Sequence, residues 1–238
     1  MILRAAVLLG LCVAAPAAAQ EVVAARYDTP TARYGHGALA GGEWGELVLQ
    51  LADGRALRVT LPDELVFEDT APRLVDLSGD GQAEVVVVES HSEKGARLAV
   101  WTAAGRMAAG PFAGLRHRWL APLGAADFDS SGQVEFAYVL RPHLDATLML
   151  ARLQGGALVV QELAAGLPSH RYRAAILEGG IADCAGAPVI LTADAGWRAI
   201  VATRLQDGAA VSRALGDYAG SESFDAAAAA MGCSLSKP

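Results

Sequence analysis

The feature that most limits how this chain can fold is a nine-residue run that occurs twice. It reads Asp76-Leu-Ser-Gly-Asp-Gly-Gln-Ala-Glu84 and, 51 residues later, Asp127-Phe-Asp-Ser-Ser-Gly-Gln-Val-Glu135. Each copy leads into an apolar segment, Val85–Val88 or Phe136–Val139. Glycine turns keep nearly the same beat at Leu51-Ala-Asp-Gly54, Thr102-Ala-Ala-Gly105, Leu153-Gln-Gly-Gly156 and Leu205-Gln-Asp-Gly208. Strand-like runs precede them at Glu46–Leu51, Arg97–Thr102, Thr147–Leu153 and Arg198–Leu205. Asp-Gly or Gly-Gly between such runs signals a hairpin, because glycine accepts the positive φ that a tight hairpin turn requires. A fixed period of this length points to a repeat architecture. The marks divide the chain into four units, at about 22–70, 71–121, 122–173 and 174–219.

A unit of about four short strands cannot bury both of its faces alone, so such units stack or close into a ring. The expected fold is all-β: a small β-propeller over residues 20–219, with about four blades of four antiparallel strands. A β-sandwich with internal duplication is the rival, and an α/β fold lacks the amphipathic helices it needs between strands. In the first unit the strands are expected at Val22–Tyr27, Ala32–Leu39, Glu46–Leu51 and Arg55–Leu61. In the tail, 220–238, Ser223–Gly232 reads either as a short helix with a serine cap and a glycine stop or as a disordered end.

The first residues read as a signal peptide, 1–19. Arg4 is the positive region, Ala5–Ala15 is apolar but short for a bilayer, and Ala17-Ala-Ala19 offers a small-residue cleavage site. Leu11 is too large for the lipid-attachment pattern that Cys12 would otherwise suggest. No later stretch is long and apolar enough to span a membrane, so the expectation is a soluble exported protein, periplasmic or secreted. The formal net charge is −7, with no Lys/Arg-rich tract, which argues against nucleic acid as a partner. After cleavage only Cys184 and Cys233 remain, either paired in an oxidising compartment or as two free thiols.

The acidic runs place oxygen side chains at alternate positions around a glycine turn, which suits a hard cation. Asp76, Ser78, Asp80, Gln82 and Glu84 hold positions one, three, five, seven and nine. Asp127, Asp129, Ser131, Gln133 and Glu135 hold the same positions in the second copy. An EF-hand is excluded, since its bidentate glutamate at position twelve is here Val87 or Tyr138. The first and fourth units, with Tyr27–Thr31 and Glu178–Gly186 at this place, are too poor in ligands. The other reading of both loops is a metal-free hydrogen-bonded turn, with the acids capping nearby amides.

The pattern D-x-[DS]-x-[DS]-G-x-x-E before an apolar strand resembles the FG-GAP/VCBS repeats of integrin-α-type β-propellers. The resemblance implies that each loop joins the two innermost strands of a blade and binds calcium through those ten positions, Gln82 and Gln133 acting through their main chains. This chain departs from the family in having a serine in each loop and glutamate in place of the final aspartate. With three carboxylates per loop, one or two ions at an affinity of about 10⁻⁴–10⁻³ M are expected.

A second echo is Arg116-His-Arg-Trp119 and Ser169-His-Arg-Tyr172. If His117, Arg118, His170 and Arg171 converge, they offer a pocket for an anionic ligand, with rings for stacking. The alternative packs Trp119 and Tyr172 between units and pairs the basic residues with Glu68, Asp69 and Glu178. His36 and His143 stand alone in the pattern and read as surface or structural residues. No nucleophile elbow, zinc helix or phosphate loop is present. With no catalytic signature beside it, the resemblance implies a non-enzymatic, calcium-stabilised module for a protein or glycan partner. A periplasmic hydrolase or lyase using those four residues on an anionic substrate is the alternative.

Overall fold

A computed structural model describes residues 20–238. The expected signal peptide lies outside the described residues. Within them the chain is all-β apart from one short helix, and its strands form three antiparallel sheets, none closed into a barrel.

The second, third and fourth units share one plan. In the second, β5 (Arg73–Val75), β6 (Glu84–His91), β7 (Gly95–Thr102) and β8 (Gly105–Ala109) pair in chain order. In the third, β9 (Leu120–Ala126), β10 (Glu135–Leu140), β11 (Thr147–Gln154) and β12 (Ala157–Ala164) repeat that order. In the fourth, β13 (Gly180–Asp183), β14 (Pro188–Ala193), β15 (Ala199–Gln206) and β16 (Ala209–Asp217) do so again. The β7–β8, β11–β12 and β15–β16 hairpins turn at the glycines that set the beat. Gly155-Gly156 and Asp207-Gly208 hold positive φ at both central residues, as a primed hairpin turn needs.

The first unit departs from this plan. β1 (Val22–Pro30) and β3 (Ala56–Thr60) both pair with β2 (Glu43–Leu51). β4 (Leu65–Glu68) joins the start of β2 to the end of β6, so units one and two make one eight-stranded sheet. The strand expected at Ala32–Leu39 is a loop instead. Its cause is local: the Glu43 carboxylate accepts from the successive N–H groups of Gly35, His36 and Gly37. Both glycines have positive φ, so the segment curls around that carboxylate rather than extending.

The apolar runs are continuous because their strands are buried on both faces. On β6, Val85 and Val87 pack with Leu47, Leu49, Phe67 and Trp101 toward the first unit. Val86 and Val88 meet Phe136 and Tyr138 of β10. The other face of β10, Ala137 and Val139, packs against Ile190 of β14. Consecutive units thus share apolar layers, and each fully buried valine or leucine adds about 1.5–3 kcal/mol relative to an exposed one.

The tail closes the far face of the last sheet. Helix α1 (Glu222–Ala230) buries Phe224 and Ala228 against Leu191 and Ile200, and the chain turns out of it at Gly232, φ +72°. Ser221 precedes the helix without a side-chain capping bond. β17 (Ser234–Ser236) then pairs with β13, and a disulfide links Cys184 to Cys233. No helix among the described residues is long and apolar enough to cross a membrane.

Candidate functional site

The two acidic loops occupy equivalent places, between β5 and β6 and between β9 and β10. Each is anchored by one apolar side chain pointing inward, Leu77 or Phe128, at 5% and 6% exposure. In the first loop, Asp76 curls the chain: its Oδ1 accepts from Gly79 N–H at 2.7 Å and Asp80 N–H at 3.2 Å, and its Oδ2 from Gly81 N–H at 2.9 Å. Asp80 Oδ1 accepts from Gln82 N–H, and the buried Glu84 carboxylate accepts from Leu77 and Ser78 N–H. One oxygen from each of Asp76, Asp80 and Glu84 lies within 4.8 Å of the others. Oxygens that share one calcium at 2.3–2.6 Å stand at most about 5 Å apart, so the three carboxylates fit a single ion. Among the described residues no Lys, Arg or His forms an ion pair with any of the three. A divalent ion held there would supply that missing positive charge and pin the loop.

The second loop repeats the geometry with Asp127, Asp129 and Glu135, again within 4.8 Å. Asp127 accepts from Ser131 and Gly132 N–H, and Glu135 from Phe128 N–H. Its electrostatics differ. The Arg152 guanidinium is ion-paired to both Asp129 and Glu135. Strand register explains why, because Glu135 lies directly opposite Arg152 on β11. In the second unit Val85 lies opposite Trp101, which puts Thr102 across from Glu84. The Ser131 hydroxyl and then Arg152 hold the Asp129 carboxyl down at about 2. Two acidic triads can therefore hold a metal ion by distance, but only the first lacks a resident cation. The remaining expected ligands lie in the loops, where the described contacts of Gln82 and Gln133 run through their N–H groups, to Asp80 and to Ser131 Oγ. Spacing along the chain identified the acids and missed Arg152; only pairing across the hairpin brings it in.

The histidines gather at the opposite ends of the strands. β6 and β10 begin at the loop glutamates and run away from them, to His91 and to the turn carrying His143. His36 and His143, solitary in the sequence, are drawn in beside His117 and His170. His36 stacks on His117 with centroids 4.7 Å apart and planes 3° from parallel, and Tyr34 stands edge-on to both. His36 Nδ1 is 2.6 Å from Glu68 Oε1, while Ser90 donates to Glu68 Oε2 at 2.6 Å. Burial pushes the Glu68 carboxyl up.

His170 is buried edge-on to Trp119, itself 1% exposed. His170 Nε2 is 3.1 Å from the Ala174 carbonyl, and its Nδ1 is 2.9 Å from His143 Nε2. A carbonyl only accepts, so Nε2 of His170 carries the hydrogen; its Nδ1 then accepts from His143. That bond holds one proton, and burial lowers both rings' affinity for another, His143 down to about 4 with His170 and His36 adding repulsion. His143, His170, Arg171, Tyr172 and Trp197 line a cavity of about 320 Å³. Arg171 lies over the Trp197 and Tyr218 rings, 3.8 Å from Glu178. His117 and Arg118 are not among the residues lining this cavity, so the expected quartet is divided: His117 joins His36, and His170 and Arg171 meet His143 and Tyr172.

Comparison with family models, with curated proteins and with solved structures gave no match.

Proposed function

We propose that this chain is an exported FG-GAP/VCBS-like repeat protein whose sheets form a small propeller. It works as a non-enzymatic binding module for a protein or glycan, stiffened by calcium at Asp76, Asp80 and Glu84. The observation that carries this reading is a carboxylate triad sized for one ion at the same corner of two successive repeats. The Cys184–Cys233 disulfide supports an oxidising, periplasmic or secreted location. The cavity beside Tyr172 and Trp197, at the end away from the loops, is the surface proposed for the partner. Calorimetric titration with calcium, beside thermal melts with ion or chelator, tests the metal; no heat and no change in melting would remove it.

One observation favours a second reading, a hydrolase or lyase acting on an anionic substrate: Arg171 and two neutral imidazoles share the cavity. Against it, Arg171 already engages Glu178 and two rings, and the shared proton of His143 and His170 is committed to their mutual bond. Ring resonances of both histidines followed during titration with inorganic phosphate test it. Unmoved resonances would end the anion-site idea.

A further inference from the structure

The two loops have the same spacing and three carboxylates each, the middle one at position five in the first and position three in the second, yet among the described residues only the second has an arginine in it. Arg152 reaches both Asp129 and Glu135, and a planar guanidinium with several N–H donors suits two carboxylates at once. It is not a stray surface contact. Glu135 is 3% exposed, and Arg152 stands on the strand directly opposite it. An ion entering the triad would have to displace the guanidinium from both acids, and a weak three-carboxylate site supplies little affinity for doing so.

We propose that Arg152 is the second loop's permanent cation, taking the place of a metal there, so that the protein binds a single calcium, at the first loop. This rests on the calcium reading of Asp76, Asp80 and Glu84 for the ion count, while the role of Arg152 is read separately. The arrangement divides the labour: one corner answers to the concentration of divalent cation, and the equivalent corner one unit along does not.

The test is calcium stoichiometry by titration calorimetry on the folded protein, with Arg152→Thr reproducing the residue found opposite Glu84. The wild type is expected to bind one ion and Arg152→Thr two. Two ions in the wild type, or one still in the folded variant, would overturn the role of Arg152 and leave the calcium reading intact. No ion in the wild type but one in Arg152→Thr would sink the calcium reading of the first loop and keep only the role of Arg152. No ion in either would sink both. Should Arg152→Thr fail to fold, Asp76→Asn in the wild-type background decides: it is expected to abolish binding, and one ion remaining would place calcium in the second loop and overturn the inference.

Discussion

The loops Asp76–Glu84 and Asp127–Glu135 share their first and last acids and their second glycine, exchange an aspartate and a serine at positions three and five, and differ in where their positive charge comes from. In the first, the donors to the three carboxylates among the described residues are backbone N–H groups, and one of the carboxylates is buried. In the second, Arg152 supplies a full charge from the next strand. Equal spacing therefore does not mean equal chemistry; the residue across the hairpin decides whether an ion is needed.

The largest expected effect is that of calcium on the whole protein. At about 100 times the dissociation constant, an ion bound only by the folded state adds about 2.7 kcal/mol. In a chain of this size that raises the melting temperature by roughly 5–10 °C. Asp76→Asn should erase the shift between calcium and chelator, and an undiminished shift would break the contrast between the loops. Next comes Arg152→Ala measured in chelator. Removing one partner of a buried pair costs about 3–5 kcal/mol, and partial exposure of Arg152 reduces this to about 2 kcal/mol. A loss near zero in denaturant unfolding would mean the guanidinium is not holding the loop.

Acid separates the corners further. The Asp129 carboxyl is held below its unfolded value, so its contribution is present above the unfolded pKa of about 4 and is lost as pH falls through about 2. Carboxyl NMR titration should give Asp129 a midpoint near 2, and a midpoint near 4 would free it from Ser131 and Arg152. The histidine end provides the control. His143 is depressed to about 4, so the unfolded chain takes up its proton first and stability falls as pH drops from about 6.5 toward 4. Melting followed over that window should flatten in His143→Gln, whereas Arg152→Ala should leave its slope unchanged. The smallest effect is Ser130→Gly. Ser130 has φ +58° where the first loop has Gly79 at +75°, so the change should stabilise the second loop by about 1 kcal/mol in denaturant unfolding. No gain would show the strain relieved by other contacts.

The parts of the fold fixed by local chemistry were legible in the sequence. Gly105, Gly156 and Gly208 mark hairpins because their turns require positive φ, and Val85–Val88 reads as a fully buried strand because it packs against two neighbours. What was hidden depends on distant pairing. Nothing near Leu65–Glu68 announces that it bridges β2 and β6, and nothing near Ala32–Leu39 announces that Glu43 will gather its amides. The acids of the site were legible through their alternation around glycine. Arg152 was not, since it lies 17 residues beyond Glu135 whereas Thr102 lies 18 beyond Glu84, and the repeat beat does not bring them into line. His36 looked isolated because loops from different units bring it to His117, and His143 because the chain returns past it only 27 residues later, at His170.

The most direct measurement is a crystal structure grown or soaked in calcium, with the ion located by its anomalous signal. One calcium is expected among Asp76, Asp80 and Glu84, with the Arg152 guanidinium lying between Asp129 and Glu135. A calcium in the second loop with Arg152 swung away, or none in the first, would contradict it.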